Sequence, residues 1–94
     1  MSKEEIQKVR EASAEYNDCT NEYAMSQLEQ QTDPRVIADH AMKKCASILE
    51  DLYNYLLLSN YAPEPTKQFV SHISNRGANK LLSNLMMYMA AQKR

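Results

Sequence analysis

Apolar residues recur at helical spacing through the stretch from Asp33 to Leu58 in the middle of the chain. The stripe advances in steps of three and four residues, which places it on one side of an α-helix: Ala38, Ala41, Cys45, Ile48, Leu52 and Tyr55. Thr32 or Asp33 can cap this helix, and Pro34 suits its first position, where no N–H is needed. Since no glycine interrupts the run, the pattern predicts one continuous helix that ends before Pro63.

A second apolar stripe lies earlier in the chain, within a predicted helix from Ser2 to about Gln31. Ser2 can cap this helix, and its stripe has the same spacing: Val9, Ala12, Tyr16, Cys19, Tyr23 and Ser26. If the chain reverses near Thr32, residues whose numbers sum to about 64 lie opposite each other, so that the two stripes meet along their length. The stripes therefore predict an antiparallel helical hairpin.

The last third of the chain opens on a proline-containing linker, Ser59 to Lys67, and continues as a further helical segment. Gly77 lies inside that segment, and glycine commonly follows a helix end, so we expect a kink or short break there. A helix that ran through Gly77 would cost roughly 1 kcal/mol. The predicted fold is an all-α single domain over residues 1–94. It consists of an antiparallel helical hairpin plus a kinked or broken C-terminal helix, in a three- or four-helix bundle.

Composition and charge agree with a helical domain. The chain has one glycine and three prolines, which leaves few turns for a sheet. The net charge is −1, but residues 1–33 hold eight acids and three bases, whereas residues 59–94 hold one acid and five bases. We expect the acidic first helix to lie beside the basic last one. The longest apolar run, around residues 53–58, is too short to span a membrane.

The chain contains two cysteines, Cys19 and Cys45, and the hairpin register places them opposite each other. A disulfide needs Cα atoms within about 7 Å, a distance that facing positions of packed helices allow. Such a bridge would add roughly 3–4 kcal/mol by the chain-entropy argument. The alternative is a pair of buried free cysteines that act as small apolar residues, as is common in the cytosol.

The residues around the two cysteines form a spaced pattern: Tyr16-x-x-Cys19, then Asp33-Pro34-x-x-Ile37-Ala38-x-x-Ala41-x-x-x-Cys45. This pattern resembles one in small exported helical proteins of proteobacteria, many of unassigned function. The resemblance implies that a disulfide cross-links the two helices of the antiparallel hairpin, and it implies a periplasmic location. A cytoplasmic location is the alternative.

The residue types that form catalytic, metal-binding or nucleic-acid-binding sites are present, but their spacing along the sequence does not match that of known sites. His40 and His72 lie in no metal-ligand pattern, and both cysteines fall on the buried stripe, so we expect no catalytic residue, metal or cofactor. An acidic row on the first helix is typical of a solvent-facing surface: Glu11, Glu15, Asp18 and Glu22. The alternative function is a small nucleic-acid-binding regulator, although its bases are spread along the C-terminal third: Lys67, Arg76, Lys80, Lys93 and Arg94.

The most informative functional feature is a cluster of methionines and other apolar residues near the C-terminus. A helix in a small bundle buries one stripe, whereas residues 81–91 are apolar on more than one face. Core filling accounts for part of this cluster, and methionine also adapts to the irregular surface of a partner. The sequence therefore predicts a non-catalytic helical protein-interaction module, such as an inhibitor, immunity-type or adaptor subunit. It would bind a protein partner or form a homodimer through Leu82, Met86, Met87, Tyr88 and Met89.

Overall fold

Four α-helices make up the described part of the chain. The structure is a computed structural model that describes residues 1–30 and 33–92, and of Gln92 the backbone alone. The helices are α1 (Lys3–Ser26), α2 (Pro34–Lys44), α3 (Ala46–Leu58) and α4 (Pro63–Gln92). No strand occurs within these ranges, which confirms the all-α prediction. The predicted reversal at Thr32 and the bases Lys93 and Arg94 lie outside the described residues.

The helices pack side by side into an elongated bundle that measures 51 × 20 × 17 Å. α1 runs antiparallel to α2 and α3, because Ala12 packs with Leu52 of α3 whereas Ala24 packs with residues 37–41 of α2. α4 runs parallel to α1, since its C-terminal half contributes Leu85 to the cluster around Ala24. None of the described helices is long and apolar enough to cross a membrane.

The predicted hairpin register is confirmed at its cysteines. Cys19 and Cys45 form a disulfide with a Cα–Cα distance of 6.0 Å, and neither is a free thiol. The predicted stripe of α1 is partly wrong, because Ser26 at its end is exposed. The fully buried positions of α1 instead follow a four-residue step: Ala12, Tyr16, Thr20 and Ala24. This line suits a helix that packs against two neighbours, the α2–α3 segment and α4, rather than against one.

α1 also ends earlier than predicted, at Ser26 rather than near Gln31. The Ser26 hydroxyl donates to the carbonyl oxygen of Tyr23 at 2.6 Å, and residues 27–30 form turns. Thr20 makes the same kind of bond to the carbonyl oxygen of Asn17 within α1, so this bond alone does not account for the early end. Asp33 caps α2 as expected, because its side chain accepts from the Arg35 N–H at 2.9 Å.

The prediction of one continuous helix from Asp33 to Leu58 is wrong at Cys45. This residue has φ −101° and ψ 7°, outside the helical range, and it separates α2 from α3. The segment contains no glycine or proline between Pro34 and Pro63, so nothing local to the sequence marks the interruption. It lies at the residue that the disulfide ties to α1.

The connection between α3 and α4 is shorter than the predicted linker from Ser59 to Lys67, because α4 already begins at Pro63. The chain leaves α3 through a Schellman motif, in which the Tyr61 N–H donates to the carbonyl oxygen of Leu56. Asn60 has φ 70°, a left-handed conformation that asparagine tolerates better than most residues. Tyr61 packs against the core cluster that contains Leu52 and Leu56.

Gly77 lies inside α4, which continues through it without interruption from Pro63 to Gln92. The short break predicted at Gly77 therefore does not occur. A Cβ atom at this position would lie 3.0 Å from Asn17 Oδ1 and 3.2 Å from Tyr16 Cε2. The glycine allows α4 to approach α1 closely, and that contact offsets the roughly 1 kcal/mol that a glycine costs within a helix.

Hydrogen bonds around Glu5 fix the start of α1. Ser2 and Glu5 form a capping box, in which the Ser2 N–H donates to Glu5 Oε1 at 2.7 Å and the Glu5 N–H donates to the Ser2 hydroxyl. The Tyr61 hydroxyl also donates to Glu5 Oε1, at 3.1 Å. These donors lower the pKa of Glu5, with the backbone N–H of Ser2 contributing most. Desolvation and then the bond to Glu5 raise the pKa of Tyr61.

The lowered pKa of Glu5 predicts a loss of stability in acid. A carboxylate whose folded pKa lies below its unfolded pKa stabilises the fold above the unfolded value, and this is lost as the pH falls through the folded value. In an NMR titration, the Glu5 carboxyl should have a lower midpoint in the folded chain than in the urea-unfolded chain. Tyr61→Phe removes one donor and should raise the folded midpoint. Equal midpoints in the folded and unfolded chains would contradict this network.

Candidate functional site

The side chains considered for catalysis and metal binding are not brought together. Within residues 1–30 and 33–92, no group of three or more His, Cys, Asp or Glu side chains is placed to hold a metal ion. His40 and His72 are both exposed, on α2 and α4. Both sulfurs are held in the Cys19–Cys45 disulfide, so neither cysteine offers a thiolate.

The five residues predicted to bind a partner lie toward the end of α4, but not on one face. Met86 and Met87 are 56 % and 70 % exposed, and Tyr88 is 41 % exposed. Leu82 is half-buried, and Met89 packs against the core cluster that α1, α2 and α4 form. Successive residues of a helix point about 100° apart, so Met89 faces the core whereas Met86 and Met87 remain exposed.

A groove of about 560 Å³, which we call the central groove, lies between α4 and the α2–α3 segment. Met42, Leu49 and Val70 line it with apolar surface. Tyr16 of α1 also contributes to the lining, and its hydroxyl oxygen lies 3.3 Å from Ser74 Oγ. The groove thus combines an apolar interior with a few polar atoms.

Small side chains on the facing helices leave the central groove open. Ala46 of α3 faces it from one wall, and Ser71 and Ser74 of α4 face it from the other. The sequence patterns did not predict this groove, because Leu49 and Val70 fall on stripes that fit a filled core equally well. The available signal was the short side chain at each of the three wall positions.

A row of residues on α4 connects the central groove with an exposed methionine. Ser74, Ala78, Leu82 and Met86 follow one another in four-residue steps, which places them in one row along the helix. The row begins inside the groove at Ser74 and ends at exposed Met86. The row thus leads from the groove wall to Leu82 and Met86, which lie beyond the residues that line the groove.

Four charged side chains line the walls of the central groove. Asp39 and Lys43 pair with each other at 3.1 Å across one turn of α2. Glu50 on the α3 wall and Lys67 on the α4 wall make no ion pair with any residue in the described ranges. The two walls therefore carry opposite charges that are available to a ligand or partner.

The bases considered for nucleic-acid binding do not gather on one face of α4. Lys67 lies on the groove wall, and Arg76 follows nine residues later, which puts it on the opposite side of the helix. Lys80 is four residues beyond Arg76 and shares its side. Ion pairs between acidic α1 and basic α4 are likewise not seen among the residues that the structure describes. The nucleic-acid alternative stays a prediction, without a continuous basic stripe in this part of the chain.

No protein-family model matches the sequence, and neither a curated protein nor a solved structure matches it significantly. The resemblance to small exported helical proteins of proteobacteria therefore stays a prediction. The functional argument depends on the exposed end of α4 and on the central groove.

Proposed function

We propose that this chain is a non-catalytic protein-interaction module that docks a protein partner through the C-terminal half of α4. The observation that carries the proposal is the exposure of Met86 and Met87 next to half-buried Leu82. A lone exposed apolar side chain is ordinary on a protein surface, whereas a larger contiguous apolar patch is typical of an interaction surface. Methionine side chains suit this role because they are flexible and adapt to the shape of a partner.

The positions and bonding of the cysteines and histidines support a binding role rather than a catalytic one. A nucleophilic cysteine needs a free thiolate and an adjacent base. Cys19 and Cys45 are bonded to each other, and the exposed residues His40 and His72 lie on different helices. A binding surface requires none of these groups, since apolar contact and shape supply most of its free energy.

We extend the proposal to an oxidising compartment, the periplasm. Its support is the Cys19–Cys45 disulfide, because such bonds persist in oxidising compartments and are rare in the cytosol. Treating intact cells with a membrane-permeant maleimide tests this location. The chain should take up the label only after reduction. Labelling without a reductant would place the chain, with its thiols free, in a reducing compartment.

Site-specific photo-crosslinking in the cells that make this protein tests the docking role. The photoreactive amino acid p-benzoylphenylalanine, placed at Met86 or Met87, should form a covalent adduct with one discrete protein. His72, which is exposed in the N-terminal half of α4, is the control position and should give no adduct. Met86→Glu should remove the adduct formed from position 87, because burying an unpaired carboxylate in an apolar contact is costly. His72→Glu should leave that adduct unchanged.

The positions at which adducts form decide whether the docking proposal holds. Adducts at Met86 and Met87 but not at His72 support the docking surface, and an adduct with twice the mass of the chain identifies a second copy as the partner. An absence of adducts at both methionines would overturn the proposal. Equal adducts at all three positions would also overturn it, because they would show contact without a preferred surface.

A further inference from the structure

We propose that the central groove binds one amphipathic α-helix of the protein partner, with the row through Leu82 and Met86 as the continuation of the same contact. This inference rests on the proposed function and adds to it the kind of partner segment and its place on the bundle. The occupant has an apolar stripe, a basic residue on the flank that faces α3, and an acidic residue on the flank that faces α4.

The shape of the central groove favours a helix over a small molecule. A volume of about 560 Å³ would accommodate a small ligand, but such sites bury most of the ligand surface. This groove is open to solvent along its outer side, so a small molecule would keep much of its apolar surface in water. A helix satisfies its own backbone hydrogen bonds and needs only one apolar stripe to be covered.

The length of the apolar surface also fits a helix. The groove wall begins at Lys67, and the row through Ala78 and Leu82 leads along α4 from the groove to Met86. At 1.5 Å per residue, this stretch of α4 is about 28 Å long, which corresponds to roughly five helical turns. A partner helix of that length would cover the Met86 side chain and the groove in a single contact.

The unpaired charges on the two groove walls determine which charges the partner helix should carry. Glu50 on α3 and Lys67 on α4 face the same groove from opposite sides. Residues that flank the apolar seam of packed helices pair with opposite charges on their neighbours and thereby set partner choice and orientation. A helix with a base toward Glu50 and an acid toward Lys67 would satisfy both, whereas a helix with the charges exchanged would place like charges together.

The experiment uses the full chain in its own cells, with p-benzoylphenylalanine at Ser71 in the groove and at His72 just outside it. Position 71 should form an adduct with the same partner segment that position 86 captures, and position 72 should form none. Peptide mapping should show a segment with apolar residues at helical spacing. A synthetic peptide of that segment should gain helical circular dichroism when it binds the chain.

Matched substitutions test the groove itself. Ala46→Arg fills the space and should weaken binding of the mapped peptide by about ten-fold or more, which corresponds to about 1.4 kcal/mol. Ser47→Arg adds the same charge at the next, exposed residue and should have little effect. Glu50→Lys should weaken binding, whereas Asp51→Lys, an equal charge change on the same helix outside the groove, should not.

The failures of the two proposals are distinguishable. Adducts at Met86 and Met87 without an adduct at Ser71 would overturn the groove inference and leave the docking role in place. An equal loss of binding in Ala46→Arg and Ser47→Arg, or a mapped segment without helical spacing, would also overturn the groove inference. An absence of adducts at positions 86 and 87 would overturn the docking role, and the groove inference with it.

Discussion

Replacing Cys19 and Cys45 together by alanine should lower the free energy of unfolding by about 3.5 kcal/mol. The two residues are 26 apart in sequence, and the cross-link restricts the unfolded chain by closing the loop between them. Cys45 is also buried in the core beside Tyr16 and Leu49, so the substitution removes some packing as well. Urea unfolding followed by circular dichroism measures the difference.

The disulfide should contribute a large share of the total stability, because domains of this size unfold with only about 5–15 kcal/mol. The melting temperature of the double variant should fall by roughly 15–25 °C. A reductant should produce most of this shift in the unsubstituted chain, because it breaks the bond but keeps both side chains, and it should leave the double variant unchanged. A melting temperature that is the same with and without the disulfide would contradict the prediction.

Tyr16→Ala should cost about 3–5 kcal/mol, the range for removing a large aromatic side chain from a packed core. Tyr16 is 1 % exposed, and it packs with Cys45 and Leu49 in a cluster that Val70 and Ile73 of α4 also contact. Its ring also lies against Gly77, where a Cβ atom would be 3.2 Å from Tyr16 Cε2. Truncation would leave a cavity between α1, α3 and α4 that no neighbouring side chain fills.

Tyr16→Phe is the matched control, because it keeps the ring and removes only the hydroxyl that lies 3.3 Å from Ser74 Oγ. The cost of that change should be about 1 kcal/mol or less. Both variants can be compared by urea unfolding at equal protein concentration. An equal loss of stability in Tyr16→Ala and Tyr16→Phe would mean that the hydrogen bond, rather than the ring, holds the three helices together at this point.

The features that were predictable from the sequence are those set by nearby residues. Ser2 and Asp33 cap α1 and α2 as expected, since a cap depends on residues within one turn. The pairing of Cys19 with Cys45 followed from two stripes of matched spacing and a reversal between them. Helical periodicity shows which side of a helix is apolar. For two adjacent helices, this is enough to predict which residues face each other.

The features that were predicted wrongly depend on contacts between distant parts of the chain. Gly77 has the local character of a helix end, but its role is set by Tyr16 and Asn17 of another helix. The interruption at Cys45 occurs in a sequence with every local preference for a continuous helix, and it coincides with a bond to α1. Neither outcome is encoded within a few residues of the position concerned.

The candidate site likewise has one feature that the sequence could predict and one that it could not. The sequence indicated that the apolar residues near the end of α4 could not all be buried, because they lie on more than one face of the helix, and Met86 and Met87 are the most exposed of the large ones. The central groove could not be predicted, because it is a gap between α3 and α4 whose width depends on how those helices meet. Short side chains at Ala46 and Ser71 become informative only once the two helices are known to face each other.

The parallel course of α1 and α4 places the start of α1 at Lys3 and the end of α4 at Gln92 at opposite ends of a bundle 51 Å long. A circularly permuted version would need a tether that spans the length of α4, about 45 Å. That distance requires at least about 13 residues of fully extended chain. Two fluorophores or two fused domains, one at each end, would be held apart by the bundle and would report its end-to-end length directly.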